Sequence, residues 1–255
     1  MLRFCSLASG SSGNATLVEA FDGLHRTRLL IDCGLSARQL DARLARAGLA
    51  AEQLDAIFIT HEHSDHLGCA PALSARLGIA LWMSAGTSAA LPEPAPNLRL
   101  ARDCQAIAIG GLLIQPFAVP HDTREPLQLS CTDGERRLGL LTDLGHVTTH
   151  ALAQLAGCHA LLLESNHCPD LLAASRYPLF LKRRVGSPQG HLSNAQAAHA
   201  LAQLRHDRLR TVVGAHLSER NNRPELVRAG FAQALGCGAG DVLLGSRHGL
   251  DWLSV

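Results

Sequence analysis

Short apolar runs alternate with turn-forming clusters along this chain. Residues 3–8, 16–19 and 28–31 read as strands, the first two separated by the small-residue turn Ser9-Gly10-Ser11-Ser12-Gly13-Asn14. Ser36 can cap a helix that carries Leu40, Leu44 and Ala47 at helical spacing. Residues 56–60 form an apolar strand, then a helix is predicted over about 67–77 and a short strand near Leu81. Residues 92–96 are proline-rich and exclude a helix. Gly110-Gly111 joins strands 106–109 and 112–116, and Asp133-Gly134 joins 127–132 and 138–142, both as hairpins. Alternation then returns: helix near 147–155, strand 159–164, helix 194–204, strand 211–215, helix 224–235, and terminal strands near 242–244 and 250–253. Two sheet-rich halves, each backed by helices, predict an α/β fold of the four-layer αββα sandwich type. At 255 residues the chain fits one domain, residues 1–255.

Composition narrows the function classes. With 47% apolar and 18% charged residues and a net charge of +1, no global field advertises a nucleic-acid or membrane partner, although a local patch can still bind a polyanion. No run approaches the ~18 apolar residues of a membrane helix. The eight cysteines are scattered without a C-x-x-C pair, and the N-terminus lacks the pattern of a secretory signal. These features together read as a cytoplasmic, reduced protein. The departure from ordinary composition is the fourteen histidines.

Their placement is informative. His61-Glu62-His63-Ser64-Asp65-His66 follows the 56–60 strand directly and sets four ligand-type side chains within six positions. Imidazole nitrogen and carboxylate oxygen are donors that Zn²⁺ and Mn²⁺ accept. One loop supplies only part of a metal shell, so further ligands are expected at other strand ends. His121, Asp143 and His216 each follow a mostly apolar run, at the carboxyl end of a predicted strand, where open α/β folds gather functional groups. Singly each is an ordinary polar residue; together with the His61 loop they form an ordered set.

That order, H-x-H-x-D-H and then His, Asp and His, resembles the metallo-β-lactamase superfamily of binuclear hydrolases. The resemblance implies the αββα sandwich with two divalent ions at one edge, Zn²⁺ or Mn²⁺, with Fe also open. It implies His61, His63 and His121 on one ion, Asp65, His66 and His216 on the other, and Asp143 bridging both. Asp32 matches the superfamily's first-motif aspartate, which supports ligands from behind. The implied reaction is hydrolysis by a metal-bridging hydroxide. His63 stands where the redox branch has an acidic residue, which argues against oxygen chemistry.

Four further stretches resemble the YycJ/WalJ, RNase Z-like branch: 5–14, 164–167, 190–194 and 215–225. The branch implies exonuclease activity on DNA. Asp65 and His191 are then the catalytic candidates, with His191 assisting the leaving oxygen; its other reading is a cap for the helix near Asn194. Ser11, Asn14, Ser218 and Asn222 are candidate substrate contacts. Lys182-Arg183-Arg184 reads either as a phosphate track or as a solvated face, and His167 carries no assigned role. Alternatives are a small cyclic phosphodiesterase, a thioester or β-lactam hydrolase, and a non-catalytic nucleic-acid-binding protein. The few Phe, Tyr and Trp residues leave little surface for base stacking, so phosphate contacts are expected to dominate.

Overall fold

The computed structural model describes residues 1–255. Its strands are β1 (Leu2–Ala8), β2 (Ala15–Phe21), β3 (Arg26–Ile31), β4 (Ala56–Phe58), β5 (Ala80–Met83), β6 (Leu98–Leu100) and β7 (Ile107–Ile109). They continue with β8 (Leu112–Ala118), β9 (Leu127–Thr132), β10 (Arg137–Leu141), β11 (Ala160–Glu164), β12 (Thr211–Ala215), β13 (Leu243–Leu244) and β14 (Leu253–Ser254). Two seven-stranded sheets result, in the orders β14-β1-β2-β3-β4-β5-β6 and β13-β12-β11-β10-β9-β8-β7.

Both sheets are mixed. In the first, β1, β2 and β3 are antiparallel and β3 to β6 are parallel. In the second, β7 to β10 are antiparallel and β10 to β13 are parallel. Parallel strands need crossovers, and the helices supply them. Helices Ala37–Arg46 and Ala70–Leu77 cover the outer face of the first sheet; Thr149–Leu155, Asn194–Leu204 and Pro224–Leu235 cover that of the second.

Alternation along the strands explains the layering. In β2, Val18 and Ala20 join Phe4, Leu29, Phe58, Leu129, Leu140 and Leu162 in the core between the sheets. Ala15 and Leu17, on the opposite face, pack with Leu40, Leu44 and Leu73 under the first helical layer. Phe231, Val227 and Leu201 close the matching layer over the second sheet. The architecture is the αββα sandwich.

The hairpins at Gly110 and Asp133 form as predicted, while other elements differ. The predicted 67–77 helix is two, Ser64–Leu67 and Ala70–Leu77, because Gly68 at φ +38° breaks the first. It starts earlier than expected, so Asp65 and His66 sit on a helical turn. Strand β6 and helices Ala85–Ala89, Pro169–Ala174 and Leu179–Val185 have no counterpart in the pattern; they are short, mostly half-exposed, and carry no clear period. The predicted 250–253 strand is displaced to β14.

Candidate metal centre

The carboxyl ends of the central strands converge at one edge of the sandwich. Asp32 follows β3, His61 follows β4 within three residues, His121 follows β8, Asp143 follows β10, Glu164 ends β11 and His216 follows β12. Asp32, Asp143 and His216 all adopt left-handed backbone conformations, with φ of +58°, +56° and +52°. Side chains other than Gly rarely sit there, and such positions collect at functional sites. The ligand loop is braced by a close approach. Gly34 lies so near Asp65 that a Cβ would collide with the Asp65 carbonyl, and Cys33 N–H donates to His66 O at 2.7 Å.

Four donor groups form around this edge: His61, His63 and His121; Asp65, His66 and His216; His61, His66 and Asp143; and Asp143, Glu164, His191 and His216, each with ligand atoms within 4.8 Å of one another. His61 Nε2 and His63 Nδ1 face each other at 3.1 Å. Asp143 Oδ2 is 3.2 Å from His66 Nε2, and its Oδ1 is 3.4 Å from His216 Nε2.

The second nitrogen of four rings is held from behind. His66 Nδ1 lies 2.8 Å from Asp32 Oδ2, His121 Nδ1 donates to the Gly190 carbonyl at 3.0 Å, and His216 Nδ1 is 3.3 Å from Glu164 Oε1. Thr60 donates its hydroxyl to Asp32 and meets His61 Nδ1 at 3.0 Å. Acceptors placed behind imidazoles in this way orient Nε2 lone pairs toward a shared point. Meanwhile His121 Nε2, His216 Nε2 and Asp143 Oδ2 are buried with no hydrogen-bond partner in the protein. Orphaned buried donors and acceptors are costly, and these are the atoms a cation takes. The donor set fits divalent metal.

The buried carboxylates make this edge attractive to positive charge. Burial alone would raise the Asp143 carboxyl, yet His216 and His66 hold it well below the ordinary carboxylate range. Burial opposes charge on His216, but Asp143, Asp65 and Glu164 push it up to about 10. His61 moves the other way: burial and the neighbouring His66 hold it well below its ordinary value, as suits a neutral ligand.

Outside the ligand set, His191 lines the adjoining cleft, with Nδ1 2.7 Å from Glu164 Oε1. It does not cap the following helix; Ser193 does, accepting from Gln196 N–H. Burial would raise Glu164, but the charge and hydrogen bond of His191 bring it down to about 2. Glu164 opens the 164–167 stretch but has no role assigned by sequence, and Asp122 does not stand out there. Asp122 Oδ1 lies 3.6 Å from His63 Nε2 and 3.5 Å from His121 Nε2, and its Oδ2 accepts from Arg184. Its signal was adjacency to His121.

The cleft has a volume of about 350 Å³ and is mostly polar. Ser11 and Ser218 line it. Asn14 and Asn222 do not. Asn14 Oδ1 accepts from Gly10 N–H and its Nδ2 is 3.0 Å from His66 Nε2, whereas Asn222 Nδ2 donates to the carbonyls of Ser165 and Asn166. Both clamp protein loops. His167 is buried behind the cleft, and Arg184 lines the rim.

A fold with this edge and these donors defines a class, and the chain belongs to it: residues 27–216 match the β-lactamase superfamily domain, and the protein is a metal-dependent hydrolase of the metallo-β-lactamase fold. The chain is 33% identical over 248 residues to exodeoxyribonuclease YycJ of Bacillus anthracis, covering 94% of this chain and 92% of that protein. It is 32% identical over 231 residues to exodeoxyribonuclease WalJ of Streptococcus pneumoniae, covering 88% and 84%. Among solved structures, the metallo-β-lactamase fold protein YhfI of Bacillus subtilis superposes with a TM-score of 0.73 at 15% identity, over 99% of this chain and 98% of that one. No helix is long and apolar enough to cross a membrane.

Proposed function

We propose that this protein is a binuclear metal-dependent DNA exonuclease acting as one domain over residues 1–255. The carrying observation is the donor set itself: seven side chains converge beside a polar cleft, and His121, Asp143 and His216 each hold a buried atom with no partner in the protein. The full-length similarity to two exodeoxyribonucleases supports DNA as the substrate.

His61, His63 and His121 would hold one ion, Asp65, His66 and His216 the other, and Asp143 would be shared between them. Zn²⁺ and Mn²⁺ both suit nitrogen and carboxylate donors. Paired divalent ions supply an activated water nucleophile and positive charge for the phosphoryl oxygens. The chain's residues do the rest. Asp32 fixes the His66 ring through Nδ1. Glu164 takes Nδ1 of His191, which leaves Nε2 as the nitrogen to exchange a proton with the leaving oxygen. Arg184, tied to Asp122, keeps a guanidinium at the cleft for phosphate.

The test is cleavage of end-labelled single- and double-stranded DNA by protein loaded separately with Mn²⁺ and Zn²⁺, beside a small phosphodiester and an Asp143→Ala control. Progressive shortening of DNA, lost in the control, is expected. Turnover of the small diester with DNA left intact would move the assignment to a small-molecule phosphodiesterase.

A further inference from the structure

The chain has six Phe, two Trp and one Tyr. Phe4, Phe58, Phe117 and Phe231 are buried, and Phe21, Trp82, Trp252 and Tyr177 are half-buried. Phe180 alone is exposed, at 71%. It is outside the cleft lining itself, but on the helix Leu179–Val185, whose Leu181, Arg184 and Val185 line the cleft together with Tyr177. Leu179, beside it, is 61% exposed. Two consecutive large apolar side chains in solvent, at the lip of a polar cleft, call for an occupant that covers them.

The surroundings specify that occupant. Residues 171–191 contain Arg176, Lys182, Arg183 and Arg184 and no acidic residue. Arg176 and Arg183 are exposed, and the Arg220 guanidinium sits 5.9 Å above the Tyr177 ring. On a helix, positions three and four apart are neighbours, so Phe180 is flanked by Arg183 and Arg184. The lip is also anchored to the reaction centre. His191 N–H donates to Val185 O at 2.9 Å, and a Cβ on Gly190 would collide with the Arg184 and Val185 carbonyls. An aromatic face among cations, held against a phosphodiester cleft, suits a polyanion with flat rings: a single strand whose bases are unpaired.

We propose that this lip is the strand platform of the cleft. Phe180 stacks on an unpaired base next to the phosphodiester in the metal site, and Arg176 and Arg183 take the neighbouring phosphates of a single-stranded DNA end. The inference rests on the nuclease reading above and names the form in which DNA enters.

The experiment compares metal-loaded wild type with Phe180→Ala, Phe180→Trp and Arg183→Ala. The substrates are a single-stranded DNA oligonucleotide, its RNA equivalent and bis(p-nitrophenyl) phosphate. Phe180→Ala is expected to raise KM for DNA about tenfold, with Phe180→Trp restoring it. Arg183→Ala is expected to flatten the logarithmic salt dependence of KM by about 0.7, the share of one phosphate on a single strand. The small diester, too short to reach the lip, keeps its kcat/KM in all variants. An unchanged KM for Phe180→Ala, or an unchanged salt slope for Arg183→Ala, on DNA would overturn the platform while leaving the nuclease reading intact. An equal loss on the small diester would also overturn it, showing that Phe180 acts through the shape of the cleft. Loss confined to RNA would overturn DNA as the occupant. A wild type that turns over only the small diester would sink the nuclease reading, and the platform with it.

Discussion

The two walls of the cleft are built differently. One is the ligand wall, where His61, His66, His121, Asp143 and His216 are buried and the second ring nitrogens of the histidines are held by protein groups. The other is the Leu179–Val185 lip, a helix with no buried residue that exposes Phe180 and Arg183. Burial with preset partners makes a wall that orients charge and costs nothing to reorganise during reaction. Exposure with cations and one aromatic makes a wall that meets a substrate of variable sequence. The first sets which bond breaks; the second sets which molecule is brought to it.

Substitutions on the two walls should therefore fail in different ways. Asp143→Ala is expected to lower kcat on DNA and small diester alike by at least about a thousandfold, because it removes the carboxylate that joins His61 and His66 in one donor group and His216 and Glu164 in another. Initial rates with matched metal content check this. His191→Ala is expected to cost roughly a hundredfold or more in kcat on DNA, and less on a diester with a good leaving group, which needs no proton. Glu164→Gln should show the same leaving-group dependence more weakly, and should also alter the pH–rate profile, since it acts through the His191 ring. Asp32→Ala is expected to weaken metal binding about 10–100-fold, read by chelator competition, while kcat at saturating metal changes less.

The smallest effect on chemistry is predicted far from either wall. Glu19 on β2 is fully buried between cross-strand partners Arg3 and Arg28, with Arg26 also within 2.7 Å. Burial would raise its carboxyl, but the hydrogen bonds from Arg28 and Arg3 outweigh that and hold it below its ordinary value of 4.5. A lowered folded pKa contributes stability that is complete above the unfolded value and is lost as pH falls through the folded one. Glu19→Gln is expected to lower stability by about 1–2 kcal/mol at pH 7, because its arginine partners stay partly exposed, leaving kcat intact. Urea titrations should show the gap to wild type narrowing as the pH falls below 4.5. A gap independent of pH would contradict the charge account.

The same contrast explains how much the sequence disclosed. The ligand wall is legible because its residues lie where strands end, and strand ends are marked by apolar runs: 56–60 before His61, 211–215 before His216. Even so, the turn that carries Asp65 and His66 was hidden, since four residues are too few for a period. Pairing across the fold was not legible. Glu164 meets His191 across 27 positions, and only the packing of β11 against the Gly190 loop brings them together. Asn14 was read as a substrate contact from its small polar turn and Asn222 from its place just beyond His216, but buried amides need partners and these found protein carbonyls and amides. The lip escaped for the opposite reason. Lys182-Arg183-Arg184 reads equally as a phosphate track or a solvated face until the exposed Phe180 beside it and the cleft-lining Arg184 are known.

The central claim is that two ions on one donor set carry out the hydrolysis. The direct measurement is calorimetric titration of metal-free protein with Mn²⁺, with the rate of DNA shortening followed at each point. The account predicts saturation at about two equivalents per chain, with the rate rising mainly as the second ion binds. Full activity at one equivalent, or two bound ions with no cleavage of DNA, would contradict it.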